Sequence, residues 1–246
     1  MAFANINNLN DNQRAEIYGE WSPQDVPNGL LSTKTAGLSY SHNIGSSGKA
    51  DLTMDNTFSR TDADNQTRSQ SQTFLPGSDS YQRGQSSDNS RSTHWSSHTH
   101  YGFGSGELPQ TDNNLNFDYT KNTGLGMSMI ETSDSTSLLN RMLSQTSMSD
   151  THFKFALLQK GWRQLLADFI QWDSHITYDR MTSENFSLDK VDYMKNTAAN
   201  ERRNNYTHNY GQHWNLDGKL DYYYGMGRKY FTLGYGYQYK FDKTNN

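Results

Sequence analysis

The 246-residue chain is long enough for one or two ordinary domains, carries a mild net charge of −4 and holds no cysteine. That balance argues against a nucleic-acid partner and excludes both a disulfide framework and a thiolate metal site. A mean hydropathy of −0.98 points toward disorder, but 16 Tyr, 11 Phe and 5 Trp contradict it, because disordered chains are poor in aromatics.

In chain order, "MAFANI" reads as the end of a strand, followed by a polar connection over 7–31. Residues 32–43 alternate Ala36, Leu38 and Tyr40 with Thr35, Gly37, Ser39 and Ser41, the two-residue period of a strand with unlike faces. After a short turn at 44–48, residues 49–59 set Ala50, Leu52, Met54 and Phe58 against Asp51, Thr53, Asp55, Thr57 and Ser59. Segment 60–91 is nearly devoid of aliphatics and reads as a long polar connection. Residues 93–103 then alternate Trp95, Tyr101 and Phe103 with His94, Ser96, His98 and His100. A turn over 104–112 leads to Leu115, Phe117 and Tyr119, a pattern that extends toward Leu125, Met127 and Met129.

A second long polar connection is expected over 130–150, with a helical piece in "SLLNRMLSQ" (137–145). Phe153 and Phe155 mark the next strand, and 159–166 reads as a short turn, with a short helix over "LLQKGWRQLLADFI" as the alternative. Ile170, Trp172, Ile176 and Tyr178 follow, then a third long connection over 179–211. The last two strands are the clearest. Trp214, Leu216, Gly218, Leu220, Tyr222 and Tyr224 precede the turn "GMGRK" (225–229), and Phe231, Leu233, Tyr235, Tyr237, Tyr239 and Phe241 follow it. If the two apolar faces coincide, Tyr224 lies opposite Phe231, Gly218 opposite Tyr237 and Trp214 opposite Phe241.

About eight strands therefore alternate between short turns at one end and long polar connections at the other. The fold class expected is all-β: an antiparallel up-and-down transmembrane β-barrel, or an open slice of a larger one, with short periplasmic turns and long extracellular loops. The whole chain is treated as one β-barrel domain. Only helices and closed barrels satisfy every backbone group in lipid, and a barrel strand needs apolar residues on one face only. A hydrophilic chain can span a membrane on those terms. No apolar stretch approaches the ~20 residues of a spanning helix, and residues 1–20 show neither a basic nor an apolar signal-peptide region. The residues expected to face lipid are Leu38, Tyr40, Leu52, Met54, Phe58, Trp95, Tyr101, Phe103, Leu115, Phe117, Tyr119, Ile170, Trp172, Trp214, Leu216, Leu220, Tyr222, Tyr224, Phe231, Leu233, Tyr235, Tyr237, Tyr239 and Phe241.

"FANINNLND" (3–11), the run from "GEWSP" to "GLLSTKTAGLSY" (19–40) and "FSRTDADNQTRSQSQTFLPG" (58–77) resemble the outer-membrane β-barrel proteins of Bacteroidota related to TonB-dependent receptors. "LDYYY" (220–224) suits the same family. The resemblance covers essentially the whole chain. It implies an outer-membrane location, outer-membrane lipid as a partner, and uptake or binding of an external nutrient ligand. It further implies that a plug and the TonB-contacting segment would lie upstream, so that this chain reads as an internal part of the barrel.

No catalytic, cofactor-binding or metal-binding residue is assigned, and no enzyme activity is expected. His94, His98 and His100 share a strand face, but a flat row converges poorly on one ion. "DADN" (62–65) begins like a calcium loop but has Thr67 where the loop needs Gly and Thr73 where it needs Glu. "GFGSG" (102–106) misplaces Ser105 for a nucleophile elbow. Two other readings remain: a soluble β-sandwich or adhesin-like binding module, and a small complete eight-stranded barrel.

Overall fold

The computed structural model describes residues 2–10, 29–44, 50–73, 79–104, 109–165, 168–226 and 229–245. These form nine strands: β1 (Ala2–Asn10), β2 (Gly29–Ile44), β3 (Ala50–Thr73), β4 (Ser80–Gly104), β5 (Pro109–Ser133), β6 (Leu138–Leu165), β7 (Asp168–Tyr193), β8 (Glu201–Met226) and β9 (Lys229–Asn245). A 3-10 turn, Thr197–Ala199, lies between β7 and β8. All nine strands belong to one sheet in strict chain order, each pair antiparallel. The sheet is open: among the described residues β1 pairs only with β2, and β9 only with β8. An up-and-down sheet of eight long strands plus the short β1 matches the architecture expected from the alternation.

The register of the last hairpin is the one that the alternation requires. Tyr224 faces Phe231, Tyr222 faces Leu233, Leu220 faces Tyr235, Gly218 faces Tyr237 and Trp214 faces Phe241. A slip of one residue would turn every one of these side chains to the opposite face, so the contrast between faces fixes the pairing. The short connections at 45–49, 105–108, 166–167 and 227–228 lie outside the described residues, as does Ser105.

The polar segments do lie together at the other end of the sheet, but much of each continues the ladder. β3 runs to Thr73 and pairs with β4 from Ser80, so that Asp62–Asn65 are strand residues. β5 and β6 meet over a turn at 134–137, and β7 and β8 over 194–200. Strands of 24 to 28 residues result, about 80–95 Å of extended chain, against the ~9–11 residues that cross a bilayer.

The helix expected at 137–145 is not formed. Residues 138–145 belong to β6, where Met142 pairs with Ile130 and Leu143 with Met129 across the ladder. Their apolar spacing fits a helix, but cross-strand pairs of the same size take up both faces of the strand. The helical alternative over 157–170 also fails, since β6 continues through Leu165.

Nothing described packs on either face of the sheet. Ala50 and Asp221 are the buried non-glycine side chains among the described residues, and the large apolar groups are exposed or half-buried. A sandwich requires a second sheet over this face, and here all nine strands form a single layer.

Candidate functional site

Side chains of residues directly opposite in a ladder share a face, so register alone sorts the two surfaces. Following the pairings from β2 to β9 places all twenty-four residues expected to face lipid on one face. Phe153, Phe155, Leu157, Ile176 and Tyr178 join them. This apolar face carries a ladder of ring contacts: Trp95–Phe117 at 4.6 Å, Phe117–Phe153 at 5.2 Å, Phe153–Tyr178 at 5.6 Å and Tyr178–Trp214 at 4.4 Å. Phe58 extends it at one side and Phe241 at the other, through their pairing with Trp95 and Trp214.

A second aromatic line lies six to ten residues nearer the short turns, made by Tyr101, Phe103, Trp172, Tyr222, Tyr224 and Phe231. The two aromatic lines thus frame a band on this face. The band is not uniformly apolar, because Asn113, Gln159 and Ser174 also lie on it. Tyr237 folds across Gly218 so that its hydroxyl stands 3.1 Å from Ser174 Oγ. A Cβ on Gly218 would sit 2.5 Å from that hydroxyl oxygen, and one on Gly161 would sit 2.2 Å from the Trp172 ring. Both glycines are needed for an aromatic side chain to lie flat over the strand.

The opposite face is mainly polar, with apolar groups such as Ile130 opposite Met142, Trp162 and a stacked Phe169–Tyr223 pair among them. Its histidines lie beside carboxylates on neighbouring strands: His152 Nε2 to Asp179 at 2.7 Å, His213 Nδ1 to Asp242 at 2.7 Å and His94 Nδ1 to Asp118 at 3.4 Å. His100 lies between Asp51 at 3.2 Å and Asp112 at 3.3 Å, while His98 bonds Asn116. The His94, His98 and His100 row is thus partnered sideways, strand by strand. Among the described residues no group of three or more His, Asp or Glu is arranged to hold a metal ion.

Near β8 and β9 this face opens into a trough of about 910 Å³ whose lining includes Asp173, Asp217, Lys219, Asp221, Gly234 and Gly236. Lys219 Nζ donates to Asp221 at 2.7 Å, and Gly234 leaves the room that this carboxylate occupies.

Beyond the band the two faces lose their contrast. Arg60 and Arg91 both hold Asp62, at 2.8 and 2.6 Å, and keep its carboxyl below the usual range. Met127 and Leu125 on the apolar face are followed by Glu131 and Arg141, paired at 2.6 Å. Sequence reasoning treated 60–91 and 130–150 as connections and so assigned no site residue in them, although its strand pattern did extend toward Leu125 and Met127.

No protein-family model matches the chain, and no curated protein matches it. Among solved structures, the ferric preacinetobactin receptor BauA of Acinetobacter baumannii is similar at 7% identity and a TM-score of 0.32, over 88% of this chain and 41% of that one. The siderophore receptor PiuA of the same organism is similar at 6% identity and a TM-score of 0.22, over 89% of this chain and 45% of that one. The outer membrane transporter YddB of Escherichia coli is similar at 7% identity and a TM-score of 0.22, over 96% of this chain and 38% of that one. The chain therefore spans less than half the length of each of these structures. Likenesses this weak carry no argument, and none of them bears on the Bacteroidota resemblance.

Proposed function

We propose that this sheet is part of the wall of an outer-membrane β-barrel of the TonB-dependent-receptor kind, with its apolar face toward lipid and its polar face toward the lumen. One observation carries the reading: a single-layer sheet bears, on one face only, a band six to ten residues high between two aromatic girdles. Water is a poor environment for that face. Each large apolar side chain left exposed forgoes about 1.5–3 kcal/mol, so a dozen of them exceed the net stability of about 5–15 kcal/mol typical of a domain.

Nine strands in strict antiparallel order put β1 and β9 in the same direction, so joining those two edges would break the alternation. Continuation by further strands of the same barrel keeps the alternation and removes both edges. The long laddered arms then stand outside the cell, where they meet an external ligand. Coupling to TonB would belong to parts of the receptor other than this wall.

Tryptophan fluorescence separates the two faces. Trp95 and Trp214 lie on the apolar face and Trp162 on the polar one, opposite Gln171. In vesicles containing brominated lipid, single-tryptophan variants retaining Trp95 or Trp214 should be quenched several-fold more than one retaining Trp162. The folded protein should also need detergent for extraction and shift its gel mobility on heating. Recovery as a monodisperse protein without detergent, or equal quenching of the three, overturns the reading.

A further inference from the structure

The apolar face ends abruptly on the side of the long arms, and the residue type that ends it recurs. On β3 the last aromatic, Phe58, is followed on the same face by Arg60; on β5, Tyr119 is followed by Lys121. On β7, Tyr178 is followed by Arg180, and on β9 Phe241 is followed, toward the chain end, by Lys243. On β2, Lys34 stands directly beyond Ala36 and opposite Arg60. A basic side chain thus caps the band on five strands.

The register brings these five residues into two adjacent rows across the sheet. One row runs Lys34, Arg60, Thr93, Lys121, Thr151, Thr182 and Tyr210. The next holds Ala36, Phe58, Trp95, Tyr119, Phe153, Arg180, Gln212 and Lys243. Neither row contains a carboxylate on this face. Arg60 shares Asp62, one row further out, with Arg91, so that triad still carries net positive charge. Lys34, Lys121, Arg180 and Lys243 are exposed. Arg180 and Lys243 flank the Tyr210 ring, at 5.5 and 6.0 Å from its centroid. The polar-face row between those two rows, which runs through Ser59, His94, Thr120, His152 and Gly211, holds no lysine or arginine, and Lys154, one row nearer the short turns, faces Asp179 at 3.9 Å. At the edge of the band the collar therefore belongs to one face.

We infer that this collar binds the phosphate groups of lipid headgroups in the leaflet on the side of the long arms. The inference rests on the proposed orientation of the apolar face toward lipid. Aromatic rings at that boundary sit at headgroup level, and a basic group one same-face step beyond them, about 7 Å along the strand, stands among the headgroup phosphates. Lysine and arginine near an anionic leaflet attract it, and arginine and lysine both donate several N–H groups to phosphate oxygens. At the opposite boundary of the band the described residues put Arg163 opposite Ile170, with β7 ending in Asp168 two residues below, so a carboxylate stands beside the basic group there.

The test titrates the detergent-solubilised chain with lipid A carrying its two phosphates and with lipid A stripped of them, reading bound lipid by native mass spectrometry. The phosphorylated lipid should bind about tenfold or more tightly and lose affinity as salt rises. Replacing Lys34, Lys121 and Lys243 together with Gln should remove most of that preference. Replacing the polar-face lysines Lys154, Lys160 and Lys240 with Gln should leave it intact. Equal binding of the two lipids by the unaltered chain overturns the inference without recourse to any variant. So does displacement of the lipid by inorganic phosphate at low millimolar concentration, which would mark a free-anion site. A chain that binds neither lipid and needs no detergent defeats the underlying orientation instead.

Discussion

Trp95 and Ser87 stand on the same face of the same strand, but they belong to different regions of the molecule. Around Trp95 the two faces differ sharply, with rings and aliphatics on one and histidine, aspartate and asparagine on the other. Around Ser87 both faces are polar, and the strand continues only as a hydrogen-bonded ladder with scattered apolar groups such as Leu125 and Met127. The comparison teaches that the ladder is common to both regions, while contrast between faces belongs to the band alone. Backbone pairing sets the length of these strands. The difference in environment across the sheet sets which residues it carries.

The largest effect expected from that contrast comes from one substitution placed in each region. Leu220 lies within the band on the apolar face and is 45% exposed, and Leu125 lies on the same face of an outer arm and is 58% exposed. Leu220→Arg should cost about 2–4 kcal/mol in a bilayer or micelle, the cost of a cation on a lipid-facing position near the midplane. Leu125→Arg, in water, should stay within about 0.5 kcal/mol. Denaturant titrations followed by heat-modifiable gel mobility would measure both. Equal costs would mean that the two regions share one environment.

A smaller effect comes from the glycines. Gly218→Ala drives a methyl group against the Tyr237 ring and the Asp173 carbonyl, 2.7 Å away, so it should cost about 1–3 kcal/mol. Gly211 stands where the band gives way to the arm, and a Cβ there meets only His213 Nε2 at an ordinary 3.7 Å. Gly211→Ala should therefore be near neutral, or stabilising by a few tenths of a kcal/mol through the unfolded chain. The double variant Gly218→Ala, Tyr237→Ala separates the causes: if the ring is what the methyl strikes, part of the loss is recovered. The same denaturant titration reads all three.

How much of this was legible in the sequence follows the same division. The pairing of Gly218 with Tyr237 and the common face of the aromatic residues were readable, because alternation between two unlike environments leaves a two-residue period. In "RTDADNQTRSQSQT" both sides of the strand meet water, no period survives, and the segment reads as a loop. "SLLNRMLSQ" carries apolar groups on both faces, which mimics helical spacing until Ile130 and Met129 appear opposite Met142 and Leu143. The basic collar was invisible for another reason. Each strand contributes one lysine or arginine, and only the register between strands lines Lys34, Arg60 and Lys121 into a row.

The smallest effect expected lies at the tip of an arm, where a single carboxylate orders the turn between β5 and β6. Asp134 Oδ1 accepts hydrogen bonds from the Thr136 and Ser137 backbone N–H groups at 2.8 and 2.6 Å and from the Thr136 hydroxyl at 2.8 Å. Its Oδ2 receives Lys195 Nζ at 3.2 Å, which ties this tip to the neighbouring one between β7 and β8. These donors, the Thr136 N–H foremost, hold the carboxyl well below its usual pKa. A carboxylate whose folded pKa is depressed lends its stability above the unfolded value, near 3.8, and loses it as pH falls from there toward the folded one. Asp134→Asn keeps the shape but weakens the acceptor and removes the charge facing Lys195. Amide exchange at Thr136 and Ser137 should therefore quicken in the variant at neutral pH. In the unaltered chain it should quicken, relative to the intrinsic exchange rate, only below about pH 4. Band amides such as those of Leu216 and Tyr239 should be unchanged in both cases. Loosening of the band by this distant substitution would mean that arm and band open as one cooperative unit, and the division between them would then be one of composition without being one of stability.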